Sequence, residues 1–309
     1  MTLATHVRTL GRGPGRSRSL TREEAADAMR LMLDGAAPEA IGALLMLLRM
    51  KGETAEEIAG LAGAAQATAT APQADLDWPS YAAGRTRGLP WFLLSARLVA
   101  LAGHSVLIHG WNGSDTAIRD NLSAVGIPVL APGAPLHGIG YLPLEQAHPA
   151  LFALLNLRAK LGLRSCINTV CRMLNPGRAA ASVQGVFHPS YRELQADAAA
   201  LLGWSALTVI KGGGGEVERH PGKDTEWFGL RNGAPGQGVY PAYTRMQNRL
   251  SDLPGDITPA ALWSGEAQDA LAEAIVIATA AVALDTLGHP NPEALAQDLW
   301  DRRHRRLAA

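Results

Sequence analysis

Aromatic residues make up only 5% of these 309 residues, and neither sign of charge prevails, with 28 lysines and arginines against 28 aspartates and glutamates. A balanced chain has no global pull toward nucleic acid or a membrane surface. Two cysteines exclude a disulfide framework. Cys166 and Cys171 lie five apart in an apolar stretch, a helical spacing that does not favour a bridge, and one pair makes no metal site. They read as buried free thiols of a reducing cytoplasm. The start is polar and arginine-rich rather than a secretory signal. Glycine or charge breaks every apolar run short of a membrane span. The expectation is therefore a cytoplasmic protein without a membrane partner.

What is present points to a globular chain. Hydrophobic residues reach 47% and charged ones 18%, too apolar for disorder. The length allows one large domain or two smaller ones. Charge is uneven at the ends: Arg8, Arg12, Arg16, Arg18 and Arg22 precede any acid, and the chain closes on Asp301 followed by Arg302, Arg303, His304, Arg305 and Arg306. Such ends read as solvated tails or as electrostatic arms.

From Thr21 the period is helical. Thr21 with Glu24 forms a capping box for a helix to Asp34, closed by Gly35. Pro38 leads a second helix to Met50, and Thr54 caps a third from Ala55 to about Ala69. Residues 71–79 read as a linker. Strands and helices then alternate. Strands are expected at 105–109, from Val129, and at 181–187, 206–211 and 224–231. Helices are expected at 89–102, 114–125, from Leu144, at 151–161 and 190–202, one or two within 259–287, and a last one from Pro292. That rhythm implies an α/β fold with a mainly parallel central sheet.

Five patches, in order, carry a resemblance: Leu48-Arg49-Met50-Lys51-Gly52-Glu53-Thr54, His109-Gly110 after a strand, Leu161-Gly162-Leu163-Arg164-Ser165 with Asn175-Pro176, Gln184-Gly185-Val186-Phe187-His188-Pro189, and the glycine turn after Lys211. The chain resembles the anthranilate phosphoribosyltransferase family over nearly its whole length. The resemblance implies a small helical N-terminal domain of residues 1–72, joined by helices from about 150–178. It implies a larger α/β domain of 73–149 and 179–309. It also implies a homodimer through the helical part, where residues 41–50 offer an apolar face that the chain's own helices also compete for.

The departures fall on the chemistry. The family's glycine loop presents bare amides to a diphosphate. Its window here reads Ser80-Tyr81-Ala82-Ala83-Gly84-Arg85, and the next helix begins Pro90-Trp91-Phe92-Leu93. The family's acidic pair, which holds magnesium, falls on Val217-Glu218, with Glu216 beside it. A solvated turn is the better reading of both glutamates, and magnesium is implied only if the chain is a transferase. This pattern is similar to a YbiB-like branch that lacks the loop and is linked to nucleic-acid binding. Candidate phosphate or nucleic-acid contacts are Ser80, Tyr81, Gly84, Arg85, Arg87, His109, Gly110, Arg164 and Lys211. Four glycines after Lys211 offer amides to an anion, and Trp78, Tyr81, Trp91 and Trp111 offer base stacking, two of them read as core. Three readings stay open: the first is a protein with a degenerate diphosphate site that binds nucleic acid or another phosphate-bearing ligand, and the second a transferase with an unidentified acceptor. A small-molecule sensor or scaffold is the third.

Overall fold

The arginine-rich start is not a free tail. In the computed structural model, which describes residues 2–82, 88–113, 115–246 and 257–304, helix α1 (Leu3–Gly11) buries Leu3, His6 and Leu10. His6 Nε2 lies 2.8 Å from Asp27 Oδ2, and Arg18 pairs with Glu24 at 2.6 and 2.7 Å. The expected capping boxes both form. Thr21 and Glu24 start α2 (Arg22–Leu33), and Thr54 and Glu57 start α4 (Ala55–Gln66), with α3 (Pro38–Lys51) between them. Gly60 lets α4 cross α2 closely: a Cβ there would stand 2.2 Å from the Arg22 carbonyl oxygen. The α3 face expected to serve a dimer is used inside the chain, where Leu44, Leu45 and Leu48 are buried, although Met50 stays 83% exposed.

The rest of the chain builds a sheet and its covers. In order come β1 (Leu76–Ser80), α5 (Phe92–Leu101), β2 (Val106–Gly110), α6 (Ala117–Leu122) and β3 (Ile139–Pro143). Four short helices follow: α7 (Leu144–Ala147), α8 (Pro149–Asn156), α9 (Arg158–Leu161) and α10 (Ile167–Arg172). Then come β4 (Ala181–Val186), α11 (Ser190–Leu202), β5 (Ala206–Lys211), a 3-10 turn at Gly213–Gly215, β6 (Thr225–Arg231) and β7 (Ala234–Tyr240). Helices α12 (Pro259–Ser264), α13 (Ala270–Thr286) and α14 (Pro292–Asp301) close the fold. The strand order is β3-β2-β1-β4-β5-β6-β7. β1 to β5 run parallel, and β6 and β7 are antiparallel.

Side chains alternate across β5, and this separates two cores. Leu207 and Val209 face the helical side, with α2, α3, α4, α10 and α11. Ile210 faces the other side, with α5, α13 and α14. α13 is apolar all round because it is buried all round, from Leu271 to Leu284. No helix among the described residues is long and apolar enough to cross a membrane.

Several expectations change. Residues 71–79 are not all linker, since β1 starts at Leu76. Its loop-like residues are satisfied inside the sheet: Asp77 Oδ2 accepts from Ser182 Oγ at 2.7 Å. Pro79 lies beyond the two rungs that β1 shares with β4, so its missing donor breaks no bond there. Val129 makes only an isolated bridge to Tyr141, which belongs to the true strand, β3. The expected helix 151–161 breaks at Leu157 into α8 and α9. The basic C-terminus is also engaged. Arg303 stacks on Trp300 at 3.8 Å and donates to the Trp263 carbonyl at 2.9 Å; Arg305 and Arg306 lie outside the described residues.

Candidate functional site

Open parallel sheets bind ligands beyond the strand carboxyl ends, where the strand order reverses. Here that point lies between β1 and β4. On the β1 side the structure is closed. Ser80, Tyr81 and His109 are each 0% exposed. The Tyr81 hydroxyl sits 2.8 Å from His109 Nδ1, and His109 Nε2 sits 3.0 Å from Asp77 Oδ1. The ring is thus bracketed by Tyr81 at Nδ1 and Asp77 at Nε2. Burial holds the Tyr81 phenol far above its ordinary range. Gly110 is required by contact, since a Cβ would stand 2.0 Å from the Ser80 carbonyl oxygen. The structure therefore puts Ser80, Tyr81, His109 and Gly110 in the packing beneath the cleft, not on its surface. Gly84, Arg85 and Arg87 lie outside the described residues.

The aromatic cluster is corrected in the same way. Trp78, Tyr81 and Trp91 are buried, and Trp111 packs edge-on against Phe152 at 5.6 Å. Burial takes the ring faces of Trp78, Tyr81 and Trp91, whereas Trp111 is only half-buried.

Glu216 and Glu218 are not a solvated turn; both are buried. Glu216 Oε1 accepts from the Ala82 amide at 2.8 Å and from Asn112 Nδ2 at 3.2 Å. Glu218 Oε1 accepts from the Phe92 amide, the first of α5, at 3.2 Å. A helix N-terminus is a ready anion site, and here the chain's own carboxylate fills it. The glycine turn is spent as well. Gly212, Gly213 and Gly215 donate to the carbonyls of Val186, Glu218 and Gly212. Among the described residues no three His, Cys, Asp or Glu side chains group as a metal site. Each glutamate spends its Oε1 on these donors. Lys211 ends β5 beside Val186 and is exposed at the sheet's carboxyl edge.

The opening lies on the β4 side. A cavity of about 320 Å³ is bounded by the end of β4, α9, α10 and α11. Four arginines line it: Arg49, Arg158, Arg164 and Arg172. Burial, then Arg158 and Arg49, push the Arg164 guanidinium below its ordinary range. Burial does the same to Arg172, against the pull of Glu216. Of these four, sequence reasoning singled out only Arg164. Arg49 was visible solely as a letter in a motif, and no spacing connects positions 49, 158 and 172 before folding.

Comparison with known proteins gives the class first. Residues 6–69 match the helical bundle domain of the glycosyl transferase family. The chain is 34% identical over 236 residues to an anthranilate phosphoribosyltransferase of Myxococcus xanthus (strain DK1622), covering 72% of this chain and 69% of that protein. It is also 34% identical over 208 residues to one from Anaeromyxobacter sp. (strain Fw109-5), covering 63% and 62%. The match to that second relative thus spans less than two thirds of its length. The structure of the Thermus thermophilus anthranilate phosphoribosyltransferase superposes with a TM-score of 0.79 at 24% identity, over 99% of both chains. The Saccharomyces cerevisiae enzyme in complex with PRPP and Mg gives 0.77 at 18%, over 98% and 93%. These two likenesses show a shared fold. The chain belongs to the anthranilate phosphoribosyltransferase family.

Proposed function

We propose that this chain is a phosphoribosyltransferase-fold protein with a degenerate diphosphate site, which binds an anionic, phosphate-bearing ligand in the cleft between its helical part and its sheet. The carrying observation is the Glu218 carboxylate on the Phe92 amide at 3.2 Å. A phosphate arriving at that helix end meets a negative charge already seated and hydrogen-bonded. The positive potential lies instead around the arginine cavity beyond β4. Nucleic acid is one ligand this reading admits, as in the YbiB-like branch, with a homodimer extending the basic surface.

The transferase reading keeps one observation in its favour. Arg164, which matches a family position contacting the aromatic acceptor, does line the cavity. Asn175 and Gln184 do not add to it: both are buried, with Asn175 bonded to the Ala179 amide and carbonyl and Gln184 to the Arg172 carbonyl. Parallel titrations separate the two readings. Short single-stranded and duplex DNA are titrated at two salt concentrations, beside phosphoribosyl diphosphate with magnesium. Salt-sensitive anion binding with no phosphoribosyl diphosphate signal is the expected result. Saturable, magnesium-dependent phosphoribosyl diphosphate binding refutes the degenerate site.

A further inference from the structure

The end of the sheet opposite the cleft carries a pair of histidines that the ligand reading does not use. His104 lies between α5 and the amino end of β2, and His289 lies just beyond α13. Each follows a glycine that turns the chain off its helix, Gly103 with φ 99° and Gly288 with φ 89°. The Gly103 amide donates to the Ala100 carbonyl and the His289 amide to the Leu284 carbonyl, each at 3.0 Å, so both corners are fixed by the helix ends they leave. Helices α5 and α13 share one core. Their corners bring His104 Nε2 to 2.8 Å from His289 Nε2, with the rings at 84°.

A hydrogen bond between the rings needs one imidazole to donate and the other to accept. The same approach suits a shared cation. Two metal–nitrogen bonds of about 2.0–2.1 Å, at angles from square to tetrahedral, set their nitrogens roughly 2.9–3.4 Å apart. The pair is therefore preset to within a slight tilt of either ring. Burial, then the neighbouring His289, lower the His104 pKa against the pull of Asp75, which keeps that imidazole neutral with a lone pair to give. The last turns of α5 and α13 direct the negative ends of their dipoles toward these corners. Asp75, held by the Ser105 amide at 2.7 Å and its hydroxyl at 2.8 Å, adds an outer negative charge without entering the ligand set. Both rings are half-buried, so water has access to the remaining coordination positions.

We propose that His104 and His289 form a two-imidazole site for a divalent transition-metal ion of the zinc, copper or nickel class, with water completing its coordination. Such an ion clips the corner before β2 to the end of α13, and it does so independently of the anion reading above. The test is calorimetric titration of the full chain with zinc chloride near neutral pH. One ion binds per chain, and magnesium, which prefers oxygen donors, gives no signal. His104→Ala and His289→Ala each leave one imidazole and lower zinc affinity at least about tenfold, because no second ligand closes the chelate. His304→Ala, at an exposed position, leaves it unchanged. Copper(II) on the wild type shows nitrogen hyperfine splitting from two imidazoles in electron paramagnetic resonance, reduced to one in either variant. Circular dichroism checks the fold of each variant. His104→Gln keeps a hydrogen-bonding group beside His289 while removing the ligand, so a purely structural role would leave its zinc affinity intact. No zinc binding by the folded wild type overturns the inference, as does affinity that survives replacement of either histidine.

Discussion

Replacing Glu57 with alanine tests why the string around Lys51 and Thr54 has its form. The Glu57 side chain is 0% exposed and serves three donors. Oε1 accepts from the Leu20 amide at 2.8 Å. Oε2 accepts from the Thr54 amide at 2.9 Å and from Lys51 Nζ at 2.8 Å. Glu57→Ala leaves the Leu20 amide buried without an acceptor, a cost of about 1–3 kcal/mol. It removes half of the α4 capping box, about 1 kcal/mol. The Lys51 pair adds less than about 1 kcal/mol, because the partly exposed ammonium returns to water. The expected loss is then roughly 3–4 kcal/mol, large against ordinary domain stability. Glu57→Gln keeps one acceptor oxygen and should lose about half as much. Urea unfolding followed by circular dichroism, extrapolated linearly to water, measures both. A Glu57→Ala loss below about 1 kcal/mol with an unchanged denaturant slope refutes the account, because the buried amide would then have found another partner.

Two further outcomes follow from buried groups. Burial pushes the thiols of Cys166 and Cys171 well above the usual range, so a disulfide reagent should find no reactive thiol in the native protein and two after denaturation. His148 is depressed below its ordinary 6.5 by burial; its Nδ1 accepts from the Leu151 amide at 3.3 Å and its Nε2 sits 3.0 Å from Thr68 Oγ1. A folded-state pKa below the unfolded one means stability that is full above about pH 6.5 and lost as pH falls through the folded value. The difference in urea midpoint between wild type and His148→Gln should therefore shrink on acidification from pH 7 to 5, and a constant difference refutes the role.

Much of the α/β core is legible because local and tertiary signals agree. The expected helix 190–202 and strand 206–211 form as α11 and β5, where apolar period and burial coincide. β1 is hidden because its centre carries Asp77 and Pro79, residues that read as loop until Ser182 and His109 supply partners to Asp77. β7 is hidden because Ala234-Pro235-Gly236-Gln237-Gly238 is a poor strand by composition; it forms as an edge strand against β6. α1 is obscured by its arginine, although Leu3, His6 and Leu10 already share a helical face. At the site, motif order located Arg164, Glu216 and Glu218. It could not show that the glutamates turn inward, or that Arg49, Arg158 and Arg172 converge on Arg164, because those are properties of tertiary approach.

The inward turn of the glutamates shows how the fold satisfies amides at the sheet's carboxyl edge from within. A glycine loop that presents bare amides leaves buried donors in need of an anion. Here the Ala82 and Phe92 amides are supplied from within, by Glu216 and Glu218. Glu216 is in turn balanced by the buried Arg172, which lines the cavity on the far side of β4. Hydrogen bonds to Glu216 at the closed end of β1 and its charge attraction to Arg172 thus link that end to the open end of β4. This linkage stabilises the sheet's carboxyl edge without any ligand. On the proposed degenerate site, glycines placed at the loop would not suffice for diphosphate binding, because Glu218 would still hold the α5 terminus. Freeing that terminus requires removing Glu218, and the cost appears in stability before any ligand is gained.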